Sequence, residues 1–291
     1  MIAPFVGLDE LDHFDGAVRD RLVLADVRWY LDGRSGREAH AAGHLPGAVF
    51  IDLDTVLADP PTSAEGRHPL PSPERFAAGL SAAGIGDDSL VVAYDDAGGV
   101  IAARLVWMLR ALGVEAAVLD GGVQAWVSRH GAERLERGAT SLGAASTSAA
   151  VFAPRPWPAH LLADADETGR LAASGDALVL DARTADRYRG DTEPVDARPG
   201  HIPGALSFSC RDNVDDSGRL LPVDALRERL VTLGADEHPV VSYCGSGVTA
   251  CHTLLVLEQA GLPAGKLYPG SWSQWSADLD RDVATGEPTA P

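Results

Sequence analysis

Two stretches decide the fold, Gly43-His44-Leu45-Pro46-Gly47-Ala48 and Gly200-His201-Ile202-Pro203-Gly204-Ala205, which differ only by a Leu-to-Ile exchange. Outward from them the likeness continues. LVLADVRWY at 22–30 precedes the first and LVLDARTADRY at 178–188 precedes the second. Downstream, VVAYDDAGGVIAA at 91–103 is matched by VVSYCGSGVTA at 240–250, and LDGGVQAW at 119–126 by YPGSWSQW at 268–275. Matches kept in one order mean that the chain contains one unit twice, and such a repeat determines architecture before any single motif is read.

Each copy alternates two kinds of segment. The runs at 22–25, 90–94, 178–180 and 239–243 are short, rich in Val and Leu, and bounded by Asp, Gly or Pro, as buried parallel strands are. Between them lie helical patterns such as ARLVWMLRALG at 103–113 and ACHTLLVLEQAG at 250–261, each stopped by a glycine. The expected class is α/β, with two tandem domains, each a mainly parallel sheet flanked by helices. The 291 residues also exceed the roughly 100–200 of one typical domain. The small, polar GATSLGAASTSAA at 138–150, followed by Pro154, Pro156 and Pro158, predicts a linker over 138–158 between domains at 1–137 and 159–291.

Composition removes several function classes. With 45% hydrophobic and 23% charged residues the chain can build cores and is not intrinsically disordered. A net charge of −18 repels nucleic acid and anionic membrane surfaces. Cys210, Cys244 and Cys251 are too few and too unevenly spaced for a disulfide framework or a zinc site, so no metal is expected. They read as thiols of a reducing compartment. The start, MIAPFVGLDELDHFDG, is acidic where a signal peptide is basic, and no run has the roughly 18–20 apolar residues of a membrane span. A cytoplasmic protein is the expectation.

The chemistry concentrates after the strand at 240–243. Cys244 stands at that strand's carboxyl end, where open α/β sheets bind ligands, and Gly245, Ser246, Gly247, Val248 and Thr249 lead into the next helix. The glycines let successive backbone N–H groups point inward, and the helix start adds its positive dipole. Such a ring favours the nucleophilic thiolate and an anion held on or near the sulfur. A cysteine phosphatase would need an Arg six positions after the nucleophile. Ala250 stands there, and the loop has no cation.

The CGSGVTA loop, the DAR at 181–183, the R-Y-x-G at 187–190, the twin GH[LI]PGA and the duplication together resemble the tandem-domain rhodanese sulfurtransferases. CGSGVTA resembles the 3-mercaptopyruvate sulfurtransferases in particular, whereas thiosulfate enzymes more often carry CRKGVTA. The resemblance implies transfer of a donor's sulfur to Cys244 as a persulfide, then to cyanide, a thiol or a thioredoxin-like acceptor, with no cofactor. It further implies a proton relay of Ser246 with His68 and Asp54, the latter two from the N-terminal domain. Arg187 would bind the donor carboxylate. Val195 stands where the family often has a second Arg, and Arg198 is the candidate replacement. Asp95 occupies the Cys244 position in the first copy, which is therefore expected to be inactive. Two rivals stay open: a thiosulfate sulfurtransferase, and a non-enzymatic persulfide carrier or interaction module. Arg183 is expected in an internal ion pair, His44 and His201 in organising their turns, and Cys251, Trp272 and Trp275 in packing.

Overall fold

The four apolar runs form two neighbouring interior strands in each sheet, and five further strands, two to four residues long, complete the sheets. A computed structural model, describing residues 1–138 and 150–287, divides the chain into two units. The first comprises Met1–Asp59, Leu70–Trp157 and Val214–Leu220; the second comprises Pro60–Pro69, Pro158–Asn213 and Leu221–Pro291. In the first, β1 (Phe5–Val6), α1 (Leu8–Asp12), α2 (Gly16–Arg19), β2 (Leu22–Asp26), α3 (Gly36–Ala42), β3 (Val49–Phe50), α4 (Pro73–Ala82), β4 (Leu90–Tyr94), α5 (Ala102–Ala111), β5 (Ala116–Leu119) and α6 (Gly122–His130) follow one another. In the second come α7 (Ala165–Ser174), β6 (Leu178–Asp181), α8 (Ala185–Arg189), β7 (Leu206–Ser207), α9 (Val223–Thr232), β8 (Val240–Tyr243), α10 (Ala250–Gln259), β9 (Lys266–Leu267) and α11 (Ser271–Trp275).

The first sheet runs β1-β5-β4-β2-β3 and the second β7-β6-β8-β9, with every pair parallel. Setting β2 against β6, β3 against β7, β4 against β8 and β5 against β9 gives one strand order for both. The second unit lacks a counterpart of β1 as a strand, but a parallel bridge from Leu162 to Leu267 fills that edge. All residues of β4 and β8 are buried, as expected for central strands covered by helices on both faces. Leu45, Leu90, Val92, Tyr94 and Leu119 lie in the core of the first unit, and Val179, Val241, Tyr243, Trp272 and Trp275 in that of the second.

The repeated GH[LI]PGA turn ties strand ends together. Tyr94, the last residue of β4, accepts the Leu45 N–H on its hydroxyl at 3.1 Å; Tyr243, the last of β8, accepts that of Ile202 at 3.2 Å. In the same way Arg28 bridges Asp26 (2.5 Å) and the Gly43 carbonyl (2.7 Å), while Arg183 bridges Asp181 and the Gly200 carbonyl (both 2.6 Å). His44 stacks on His40 at 3.9 Å and His201 on Tyr188 at 3.7 Å. These ion pairs are buried, so deleting one partner strands a charge at a cost of about 3–5 kcal/mol. The turns are scaffolding that fixes the residue after β4 and after β8.

Two features differ from the sequence expectation. The segment expected as a linker, 138–158, falls at 139–149 outside the described residues. Its remainder up to Trp157 joins the first unit, because Phe152 packs edge-on against Phe76 at 5.7 Å and Trp157 donates its indole N–H to the Pro71 carbonyl at 2.8 Å; Pro158 begins the next stretch of the second unit. The second is that Pro60–Pro69, from the first half of the sequence, belongs to the second unit. Thr62 and Gly66 close a tight hairpin there, and the Arg67 N–H donates to Ser273 Oγ at 3.0 Å. His68 is therefore part of the second unit and not, as expected, of the first. Among the described residues no helix is long and apolar enough to cross a membrane.

Candidate active site

Strand β8 ends at Tyr243, and the loop Cys244–Thr249 turns from it into α10. Gly247 makes the turn possible. Its φ is +75°, and a β-carbon there would lie 2.5 Å from the Pro269 carbonyl oxygen, so only glycine fits. Carbonyls on the outside of the loop are held by α11, whose Trp272 N–H reaches the Cys244 oxygen at 2.9 Å and whose Ser273 N–H reaches the Gly245 oxygen at 2.8 Å. Cys244 is buried, 2% exposed, as are Cys210 and Cys251, and all three are free thiols. Burial pushes the Cys210 thiol up to about 12, so it stays protonated at neutral pH. The Cys251 Sγ sits 3.4 Å from the Gly247 carbonyl on the helix side of the loop.

The first unit shows what this loop does to an anion. Its Asp95 carboxylate accepts four backbone N–H groups, from Ala97 (2.8 Å), Gly99 (2.7 Å), Ile101 (2.8 Å) and Ala102 (2.9 Å). A negative group at the end of the strand is thus surrounded by donors and lies at the start of a ten-residue helix.

Of the expected residues, Ser246 and His68 stand together beside Cys244: His68 Nδ1 is 2.7 Å from Ser246 Oγ, with both side chains buried. That pair can pass a proton in a site largely closed to water. Asp54 belongs to the first unit, where the Trp29 indole N–H donates to it at 3.2 Å. Val248 is buried in the loop wall and Thr249 immediately precedes α10, without a side-chain cap. Arg198 hydrogen-bonds to the C-terminal segment. Its guanidinium donates to the carbonyls of Ser276, Arg281, Trp275 and Asp278, closing that segment.

Arg187 does face the loop, and the structure adds a cation that the sequence reading missed. A side chain built at Gly245 would start 3.1 Å from Arg67 Nη2 and 3.6 and 3.8 Å from Arg187 Nη1 and Nη2. Asp196 links the two guanidiniums, at 2.6 Å to Arg67 and 3.1 Å to Arg187. Glu193 holds Arg187 at 2.6 Å and Arg183 at 3.2 Å. Burial opposes the Glu193 charge, but hydrogen bonds from Arg187 and from the Asp196 and Val195 N–H groups prevail and keep its carboxyl below the ordinary range. The Arg67 Nε is buried and has no hydrogen-bond partner among the described residues. Donor capacity therefore remains at the mouth of the loop although Asp181, Glu193 and Asp196 balance Arg183, Arg187 and Arg67. The adjacency of Arg67 to His68 is the one signal in the sequence that could have drawn attention to it.

A buried thiol at a strand end, at the start of a loop that turns into a helix, with a His–Ser contact two residues on, is an arrangement suited to covalent group transfer. The chain belongs to the rhodanese family of sulfurtransferases, since the Rhodanese-like domain model matches residues 13–129 and 164–278. A probable 3-mercaptopyruvate sulfurtransferase from Pseudomonas aeruginosa is 43% identical, over 91% of this chain and 93% of that protein. A putative thiosulfate sulfurtransferase, SseB, from Mycobacterium tuberculosis is 40% identical over 92% of each. Among solved structures, SseA from Escherichia coli, described as a 3-mercaptopyruvate sulfotransferase, superposes with a TM-score of 0.77 at 30% identity, covering 94% of this chain and all of that one. The reaction of this class requires a sulfur donor and a thiophilic acceptor.

Proposed function

We propose that the enzyme takes sulfur from 3-mercaptopyruvate onto Cys244 and passes it to a small thiophile or a thioredoxin-like thiol. The single observation that carries this reading is the 2.7 Å contact of His68 with Ser246, two residues from Cys244. In the first half-reaction the Cys244 thiolate attacks the donor sulfur. The carbon–sulfur bond breaks, its electron pair leaves as the enolate of pyruvate, and the persulfide stays on Cys244. That enolate needs a proton, which the Ser246 hydroxyl supplies and the His68 imidazole replaces. In the second half-reaction the acceptor attacks the outer sulfur and the Cys244 thiolate is restored. Thiosulfate makes no such demand, because departing sulfite is already a stable anion.

The donor carboxylate is assigned to Arg187 and Arg67, whose planar guanidiniums suit a two-oxygen anion. Gly245 leaves the space that this pair occupies. Asp54 is proposed as the acid that orients the relay. A reducing, cytoplasmic setting fits three free thiols, one of them the nucleophile.

Thiocyanate formation from each donor with cyanide tests the reading, with Cys244→Ser as the blank. Ser246→Ala, His68→Asn and Asp54→Asn should slow turnover of 3-mercaptopyruvate by about 10²-fold or more and that of thiosulfate far less. Equal losses with both donors would remove the relay, and an active Cys244→Ser would remove the mechanism.

A further inference from the structure

Ser271 is the only non-glycine residue with a positive φ among the described residues, at +52°. For a residue with a β-carbon this left-handed conformation is strained, and strain of this kind persists where the surroundings impose it. The first repeat shows the unstrained solution. Its matching residue, in LDGGVQAW against YPGSWSQW, is Gly122, with φ +48°. The active copy thus carries a serine where its inactive twin carries the residue that the backbone prefers.

The serine hydroxyl has two partners, one in the loop and one in the segment that precedes α11. The Cys244 N–H donates to Ser271 Oγ at 3.2 Å, and Ser271 donates its own proton to the Tyr268 carbonyl at 2.8 Å. The next two residues, Trp272 and Ser273, hold the Cys244 and Gly245 carbonyl oxygens. Three consecutive residues therefore grip both polar groups of the Cys244 backbone and the carbonyl that follows. Carbonyl oxygens are the negative ends of peptide dipoles, and either of these turned toward Cys244 Sγ would repel an anionic sulfur. In the first unit the carbonyl half of this grip is kept, Val123 N–H to Asp95 oxygen at 3.1 Å, without the hydroxyl. Only the thiol copy has added the second half.

We propose that Ser271 is a positioning residue for sulfur transfer: it accepts the strained backbone so that its hydroxyl pins the Cys244 backbone and aims Sγ into the ring of N–H donors. The inference rests on Cys244 as the sulfur-accepting group. It does not depend on which donor is used. The Ser271 hydroxyl bonds to Cys244 and Tyr268 and, among the described residues, makes no hydrogen bond to Arg67 or Arg187, so its loss acts on the chemical step and leaves donor binding alone.

The experiment replaces Ser271 by Gly, which relieves the strain, and by Ala, which keeps it. Three quantities are measured: thermal melting, kcat and KM with the better donor, and the rate of Cys244 alkylation by iodoacetamide across pH. Alkylation needs no sulfur donor, so it separates this inference from the choice of substrate. Both variants are expected to fold, with kcat reduced about 10- to 100-fold, KM within about twofold, and alkylation slowed and displaced to higher pH. Wild-type kcat or an unchanged alkylation profile in Ser271→Gly overturns the proposal. If Ser271→Gly fails to fold, the folded Ser271→Ala decides: wild-type turnover there also overturns it.

Discussion

At Gly245 a missing side chain decides what surrounds Cys244. A β-carbon there would press on Arg67 and touch Arg187, so a bulkier residue at 245 would have to displace this guanidinium pair. Charge comes to the site from distant segments and is held there by Asp196. Arg67→Met should raise KM for a carboxylate donor about 10- to 100-fold and leave kcat within about threefold, with Arg67→Lys recovering only part, because an ammonium cannot match the fork of contacts. Steady-state kinetics with 3-mercaptopyruvate checks this, and an unchanged KM in Arg67→Met would exclude Arg67 from donor binding. Arg187 was legible in the sequence through the family resemblance; its pairing with Arg67 was not. Cys244 and its glycines announce themselves locally, whereas Arg67 gains its meaning from Asp196 and Gly245, more than a hundred residues away.

The strand-loop-helix element occurs twice, and the two copies explain each other. Asp95 supplies within the first unit the anion that the second is built to receive, so its carboxylate completes a fold that would otherwise leave four inward N–H groups without an acceptor. Asp95→Ala should cost about 2–4 kcal/mol and Asp95→Asn less, since the amide oxygen keeps some of the acceptor capacity. Denaturant melts measure both. If Asp95→Ala were as stable as the wild type, the carboxylate would not be the element's internal acceptor. Two neighbouring strands of each sheet and the loop were readable because β2, β4, β6 and β8 are short apolar runs that end in or run into Asp or Cys, and because each could be checked against its twin; the flanking strands, two to four residues long, and the strand order were not. The strain at Ser271 was not readable. Serine gives no sequence sign of a left-handed backbone, and the contrast with Gly122 becomes meaningful only once φ is known.

Over the whole molecule the acidic surface and the buried cations play separate parts. The charge of −18 lies on a chain whose site gathers three arginines against three carboxylates. Stability should fall in acid for an interior reason. Burial, aided by the nearby Arg211, lowers the His252 imidazole from 6.5 to about 3, so the folded protein keeps it neutral while the unfolded chain takes a proton. A group depressed in the folded state contributes fully above pH 6.5, and that contribution is lost as pH falls toward 3. By pH 5 the loss from this residue is about 2 kcal/mol. His252→Gln should flatten the acid limb of stability against pH by that amount, leaving the share of His201, which burial lowers as well. Chemical denaturation at pH 7 and pH 5 measures the slope, and a parallel acid limb in the variant would remove His252 from the account. The ten residues Pro60–Pro69 carry a different consequence. They are encoded with the first repeat yet folded with the second, so a gene divided at the repeat boundary would give a downstream fragment with Cys244 and Ser246 but neither Arg67 nor His68. Duplication made two copies; the loan of one hairpin has made them inseparable, and neither can now drift, be lost or be fused to another partner without taking the other's chemistry with it.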